Sequence, residues 1–209
     1  MTKLARAITP LVAAVGMLLS IAVAAPASAH DHFPPQRWET PRTVCIHSTM
    51  GPGWTSPRRA VERLDAAVWY WDLQFRPSTS SCAGHEQVIT IHRVNDPNKG
   101  RAWNTRTTVW KTGTDGQQFA ALNTVNVYMN TNSKFSRTHE QNVRTFMHEL
   151  MHGMVTPRGS DWTGGHTSRC DSLLSGRHSC SQSHSKPTSY DLNAIRSVYW
   201  PTWQPTFSN

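Results

Sequence analysis

Thr138-His139-Glu140-Gln141-Asn142-Val143-Arg144-Thr145-Phe146-Met147-His148-Glu149-Leu150-Met151-His152-Gly153-Met154 is the stretch that organises the reading of this chain. Val143, Phe146, Met147, Leu150, Met151 and Met154 recur at helical spacing, Thr138 and Gln141 have the spacing of a capping box, and Pro157 stops a helix. On that helix the two histidines of His148-Glu149-Leu150-Met151-His152 fall on one face, a turn apart. Two imidazoles so placed can grip one Zn²⁺. Glu149 lies about 100° round the helix from His148. Its carboxylate therefore reaches a water on the metal rather than competing for the metal, which is the place of a general base. In a chain with 11 histidines an H-E-x-x-H arises by chance on the order of a few per cent of the time, and a buried helix can carry satisfied histidines without any metal. The helical signals favour a zinc site, and a third ligand decides the matter.

The 209 residues suffice for one well-buried domain. Lys3 and Arg6 precede an apolar run from Ile8 to Ala25, and Ala27-Ser28-Ala29 fits the small-residue rule of a cleavage site, so residues 1–29 read as a secretory signal peptide. No later stretch is apolar enough to cross a bilayer. The mature chain is expected to be secreted, extracellular, monomeric and free of the membrane. Removing Lys3 and Arg6 from the 21 basic residues leaves 19 against 13 acidic, a net charge of +6. Those charges are scattered, which suits solubility and argues against a nucleic-acid partner. Four cysteines in an exported chain imply two disulfides. Proximity in sequence favours Cys45 with Cys82 and Cys170 with Cys180, the second stiffening the backbone after the metal-binding stretch.

Residues 30–42 carry Pro34, Pro35 and Pro41 and read as an extended N-terminal arm. A folded domain over 43–200 follows, with a Pro- and Trp-rich tail at 201–209. Thr43–Ser48 has strand composition. Ser56 caps a helix expected to run from Pro57 to about Phe75, with Val61, Leu64, Val68, Trp71 and Leu73 or Phe75 facing a core and Pro77 ending it. Gln87–Val94 alternates as a half-buried strand, Asn95–Gly100 reads as a turn rather than a calcium loop because it holds one carboxylate, residues 101–120 are irregular with at most a short edge strand, and Asn123–Asn130 alternates again. Tyr190–Tyr199 reads as a last helix. Strands interleaved with two long helices imply an α+β fold, a mixed sheet with both helices packed on it.

No Glu follows Glu149, so a downstream glutamate cannot complete the site. His166, His178, His184, Asp161, Asp171 and Asp191 are the remaining donors. His166 follows Gly164 and Gly165, which let the backbone fold back toward the helix, and it is the best candidate; His178 and His184 lie in a polar Ser-rich stretch that suits solvated side chains.

Over most of the mature region the chain resembles the metzincin zinc peptidases, in particular matrixin-like and snapalysin-like secreted bacterial enzymes. The likeness rests on the H-E-x-x-H helix, on Gly164-x-His166 leading into Cys170-Asp171-Ser172-Leu173-Leu174-Ser175, similar to the family's Cys-x-Ser-Leu-Met-Ser turn beneath the metal, and on Tyr190-Asp191-x-x-Ala194-Ile195-x-x-x-Tyr199, similar to its closing helix. The resemblance implies a zincin-like fold, a mixed twisted sheet with an active-site helix and a C-terminal subdomain. It implies zinc held by His148, His152 and His166, and Glu149 as base in hydrolysis of protein or peptide substrates. The chain departs from the pattern in having Val155 and Arg158 where the family has the glycine and third histidine, so that eight inserted residues bring His166 into place, and in having Leu174 for the turn's usual Met. Asp161, in Gly159-Ser160-Asp161, is the alternative third ligand and would make an aspartate-zincin-type peptidase. A catalytically inactive, metalloprotease-like binding protein is the competing class, and a zinc-free secreted structural protein a further one.

Overall fold

The computed structural model describes residues 36–37, 43–51, 53–68, 71–112, 116, 118–135, 137–156, 162–163 and 165–199. The signal-peptide reading of residues 1–29, most of the arm, the tail and Asp161 lie outside the described residues. In chain order the elements are β1 (Gln36–Arg37), β2 (Thr43–Ser48), α1 (Ser56–Ala67), β3 (Asp72–Arg76), β4 (Val88–Val94), β5 (Ala102–Thr112), β6 (Gln118–Asn130), a 3₁₀ turn (Ser133–Phe135), α2 (His139–Met154), β7 (Val155–Thr156), β8 (Trp162–Thr163), β9 (His166–Thr167), α3 (His178–Ser181) and α4 (Ser189–Tyr199).

The expected mixed α+β architecture is present. Five long strands form one sheet in the order β3-β2-β4-β6-β5, the first four parallel and β5 antiparallel to β6. The two-residue β1 continues the sheet from the early half of β6 and carries β7. Val44 and Ile46 of β2, Ile89 and Ile91 of β4, and Val125 and Val127 of β6 meet Ala60, Val61 and Leu64 of α1 and the apolar stripe of α2 in one core. That stripe is the one read from spacing: Val143, Phe146, Met147, Leu150, Met151 and Met154 are fully buried. At about 1.5–3 kcal/mol for each large apolar side chain removed from water, packing outweighs the few tenths per residue that separate helix propensities. The capping box also forms: Thr138 N–H donates to Gln141 Oε1 at 3.0 Å and Gln141 N–H to Thr138 Oγ1 at 3.2 Å.

Gly153 allows the helix to lie close on the sheet, since a Cβ there would stand 2.8 Å from Val125 Cγ1 and 3.2 Å from Ile89 Cδ1. Arg63 of α1 grips Glu140 of α2 through Nη1 and Nη2, at 2.7 and 2.9 Å, and so ties the helices together.

Three expectations are corrected. The first long helix ends at Ala67, not near Phe75; Asp72–Arg76 is a strand, paired in parallel with Thr43–His47. Leu73 and Phe75 alternate as well as they continue a helical stripe, and such a short pattern does not distinguish the two. Pairing with β2, helped by Leu73 N–H donating to Asp65 Oδ1 at 2.9 Å, decides for the strand. Ser56 is the first helical residue rather than the cap, and its hydroxyl is hydrogen-bonded to His139 Nδ1 at 3.0 Å. Residues 101–120, expected to be irregular, hold the 11-residue β5 and the start of the 13-residue β6. An exposed edge strand needs no apolar alternation, so its sequence conceals it.

Both disulfides pair as expected, Cys45 with Cys82 and Cys170 with Cys180. Among the described residues no helix is long and apolar enough to cross a membrane.

Candidate metal centre

The buried face of α2 carries His148 and His152 one turn apart. After the helix the chain returns through β8 and β9, an antiparallel pair whose Thr163 opposes His166. Gly165, at a φ of 84°, makes the tight entry to His166, a backbone conformation that other residues adopt only with strain. Thr167 N–H donates to the Leu174 carbonyl at 3.2 Å and Gly176 N–H to the Thr167 carbonyl at 2.9 Å, so β9 is pinned to the turn at Ser172–Ser175.

The result is a triangle. Nε2 of His148, His152 and His166 stand 3.1 Å from one another. His148 Nδ1 faces the Leu173 carbonyl at 2.7 Å; a carbonyl only accepts, so Nδ1 carries the proton and Nε2 presents its lone pair to the centre. His152 Nδ1 is buried without a hydrogen-bond partner among the described residues.

Burial drives all three imidazoles toward the neutral form, His152 most strongly. Neighbouring histidines and Arg106 add to it at His152 and His166, opposed by Glu149 at His166, while at His148 the Leu173 carbonyl and Asp191 oppose it and His178 adds to it. Three neutral rings with converging nitrogens are competent metal ligands. Ligands about 2.0–2.1 Å from a tetrahedral ion are separated by roughly 3.3 Å, and on a face of an octahedron by roughly 3.0 Å, so the observed spacing fits a divalent ion of the imidazole-binding class without naming it. Among the described residues these three form the one group of three or more donors able to hold an ion.

Glu149 lines the same cavity as His148 and His166. Its Oε2 accepts from Asn104 Nδ2 at 2.9 Å. Burial raises the carboxyl above its ordinary range, against the lowering by Asn104 and by the charges of His166, Arg106 and Arg137. Arg106 donates to the His152 carbonyl at 3.0 Å, satisfying one of the last orphan carbonyls of α2 with a cation at the negative end of the helix.

Of the other candidate donors, Asp171 pairs with Arg169 at 2.7 Å on the surface. His184 Nε2 donates to the Cys170 carbonyl at 2.7 Å. His178, expected to be merely solvated, lines the cavity in front of the histidines and accepts from Arg101 Nη1 at 2.8 Å. Tyr190 lies under the Arg169 guanidinium, 4.5 Å from its ring centre.

Asp191 is fully buried and supports the site without touching it. Thr188 and Asp191 form a capping box at the start of α4, with Thr188 N–H and Oγ1–H each donating to Asp191 Oδ2 at 2.9 Å. The same carboxylate accepts from Leu173 N–H at 2.9 Å and from the Ser172 hydroxyl. It thereby holds the residue whose carbonyl orients His148.

Asn104, Arg106 and the Leu173 carbonyl escaped the sequence reading. The first two alternate with Ala102 on β5, a pattern legible only once that segment is known to be a strand beside α2. In comparison with known proteins, no family model and no curated protein matches this sequence.

Proposed function

We propose that the chain is a secreted zinc-dependent endopeptidase. The observation that carries the reading is the convergence of His148, His152 and His166 on one point with the Glu149 carboxylate in the same cavity. His₃ sets with a nearby carboxylate are the donor chemistry of a catalytic zinc that keeps an open position. Bound there, zinc supplies Lewis-acid chemistry, lowering the pKa of a water from about 15.7 toward 7 and polarising the carbonyl to be attacked.

The chain's own residues do the rest. Leu173 fixes the His148 tautomer, and Asn104 holds one Glu149 oxygen so that the other is free to act. Glu149 takes the proton of the attacking water as the carbon–oxygen bond forms, then gives it to the amine nitrogen as the carbon–nitrogen bond breaks. A carboxyl raised by burial suits both halves of that transfer. Secretion is supported by the two disulfides and by the leader-like sequence of residues 1–29.

Glu149→Gln is the test: it should keep one zinc per chain and lose casein cleavage by at least about 100-fold. Retained cleavage would reject the mechanism. Exposed Trp110 (65%) and Val109 (48%) on the edge strand favour a second reading, a binding protein with the same metal centre. In that case the parent is proteolytically silent with zinc, after chelation and after zinc is restored.

A further inference from the structure

Besides the histidines and Glu149, the cavity is lined by Arg101, Arg137 and His178, which the hydrolytic step does not use. Its volume is about 180 Å³, against roughly 30 Å³ for each molecule of liquid water, enough for a small polar side chain. Arg101 donates to His178 Nε2, which must therefore be unprotonated. Arg137 donates to Thr145 Oγ1, while its Nε is buried with no hydrogen-bond partner among the described residues.

Neither guanidinium has a carboxylate within ion-pair range among the described residues. Glu149 is the one acid lining the cavity among the described residues; Asn104 holds one of its oxygens, and its single charge faces both guanidiniums. Burial, helped by the charge of Arg101 and opposed by that of Glu149, lowers Arg137 to about 10, which leaves it cationic at neutral pH. Among the described residues two cations thus share this cavity with a single acid, and the charge still missing is what a carboxylate brings. Guanidinium donors also match a carboxylate in shape.

We propose that this cavity is an anion subsite in which Arg101 and Arg137 receive a carboxylate of the bound peptide. The inference rests on the hydrolytic reading for the bond that is cut, but not for what the cavity binds. The carboxylate comes either from an Asp or Glu side chain next to the cut bond or from the peptide's own C-terminus.

Two randomised, N-acetylated peptide libraries distinguish these sources, one with amidated and one with free C-termini, digested by the zinc-loaded protein and read by mass spectrometry. A side-chain subsite enriches Asp and Glu over Asn and Gln about tenfold at one position beside the cut in both libraries. A terminal subsite concentrates cuts near the free C-terminus and leaves the amidated library without acidic preference. In either case Arg101→Gln lowers cleavage of the preferred carboxylate-bearing peptides about tenfold more than that of their neutral counterparts. Arg101 is exposed, so the substitution spares the core.

Binding is read separately by nuclear magnetic resonance on zinc-loaded Glu149→Gln protein. The probes are acetyl-Ala-Ala-Glu-Ala-Ala-amide, its Gln counterpart, and acetyl-Ala-Ala-Gln-Ala-Ala with a free C-terminus. The carboxylate-bearing peptide of the favoured source should move the Arg137 Nε–H signal where the neutral peptide does not, and Arg101→Gln should weaken that response. Cleavage without either preference, together with no difference among the three probes, overturns the subsite and leaves the peptidase standing. A selective Arg137 response with no peptide cut in either library overturns the peptidase and leaves the subsite.

Discussion

Replacing Asp191 with Ala should loosen the metal centre from a distance. The carboxylate accepts four hydrogen bonds, from Thr188 N–H, Thr188 Oγ1–H, Leu173 N–H and Ser172 Oγ–H. The Thr188 hydroxyl has a second acceptor in the Asp171 carbonyl at 2.7 Å, so truncation orphans three donors. At about 1–3 kcal/mol for each buried donor left unpaired, with some relief as water enters the space, the loss is about 3–5 kcal/mol. Chemical denaturation of the metal-free protein measures it as a shift of midpoint at constant slope.

The effect then travels through Leu173, whose N–H loses its anchor and whose carbonyl orients His148. Outer-shell losses of this kind typically weaken metal binding about 10- to 100-fold. A competitive zinc titration of the folded variant reads that quantity separately. Stability within about 0.5 kcal/mol of the parent, which is the ordinary effect of a surface substitution, or an unaltered zinc affinity would refute the argument that this carboxylate braces the site.

Gly153→Ala places a Cβ 2.8 Å from Val125 Cγ1. Overpacking at about 1–3 kcal/mol should exceed the gain of up to about 1 kcal/mol in helix propensity, and thermal unfolding should show a Tm lowered by about 2–4 °C. Glu140 is held down at about 2, first by its hydrogen bond to Arg63 and further by Arg144, against the opposing effect of burial. A depressed carboxyl contributes stability that is complete above its unfolded value of 4.5 and is lost as pH falls through about 2. With Glu140 38% exposed, the parent should exceed Glu140→Gln by less than about 1 kcal/mol at pH 7, and the two unfolding curves should converge toward pH 2. Zinc at about 100 times its dissociation constant should add about 2.7 kcal/mol and raise Tm by roughly 5–10 °C, an increase that a chelator reverses; a Tm indifferent to zinc would contradict the metal centre.

The parts legible in the sequence are those whose physics is local. The apolar stripe of α2, its capping box and the placement of His148 and His152 all follow from 3.6-residue periodicity within one segment. The alternation of Val88–Val94 and Asn123–Asn130 follows from burial of one strand face, and both disulfides from short separations in an exported chain. His166 could be favoured as the third donor because Gly164 and Gly165 permit a return, though spacing alone left Asp161 as the alternative. The end of α1 is not legible because Leu73 and Phe75 satisfy either period.

What remained hidden depends on neighbours far away in sequence. β5 exists as an 11-residue strand through its pairing with β6, and only that pairing carries Asn104 to Glu149 and Arg106 to the end of α2. In the sequence Asp191 is a possible ligand, because a carboxylate looks the same in either role. Its burial against Ser172 and Leu173 makes it a brace instead, a choice set by the packing of α4 and not by any local pattern. The sequence by itself determined the two helical histidines, the acid between them and the sheet's inner strands, since these follow from periodicity and side-chain chemistry. The tertiary structure alone decided how three imidazole nitrogens meet and which distant groups hold and charge the space around them, because hydrogen bonds and burial are properties of residues brought together by folding.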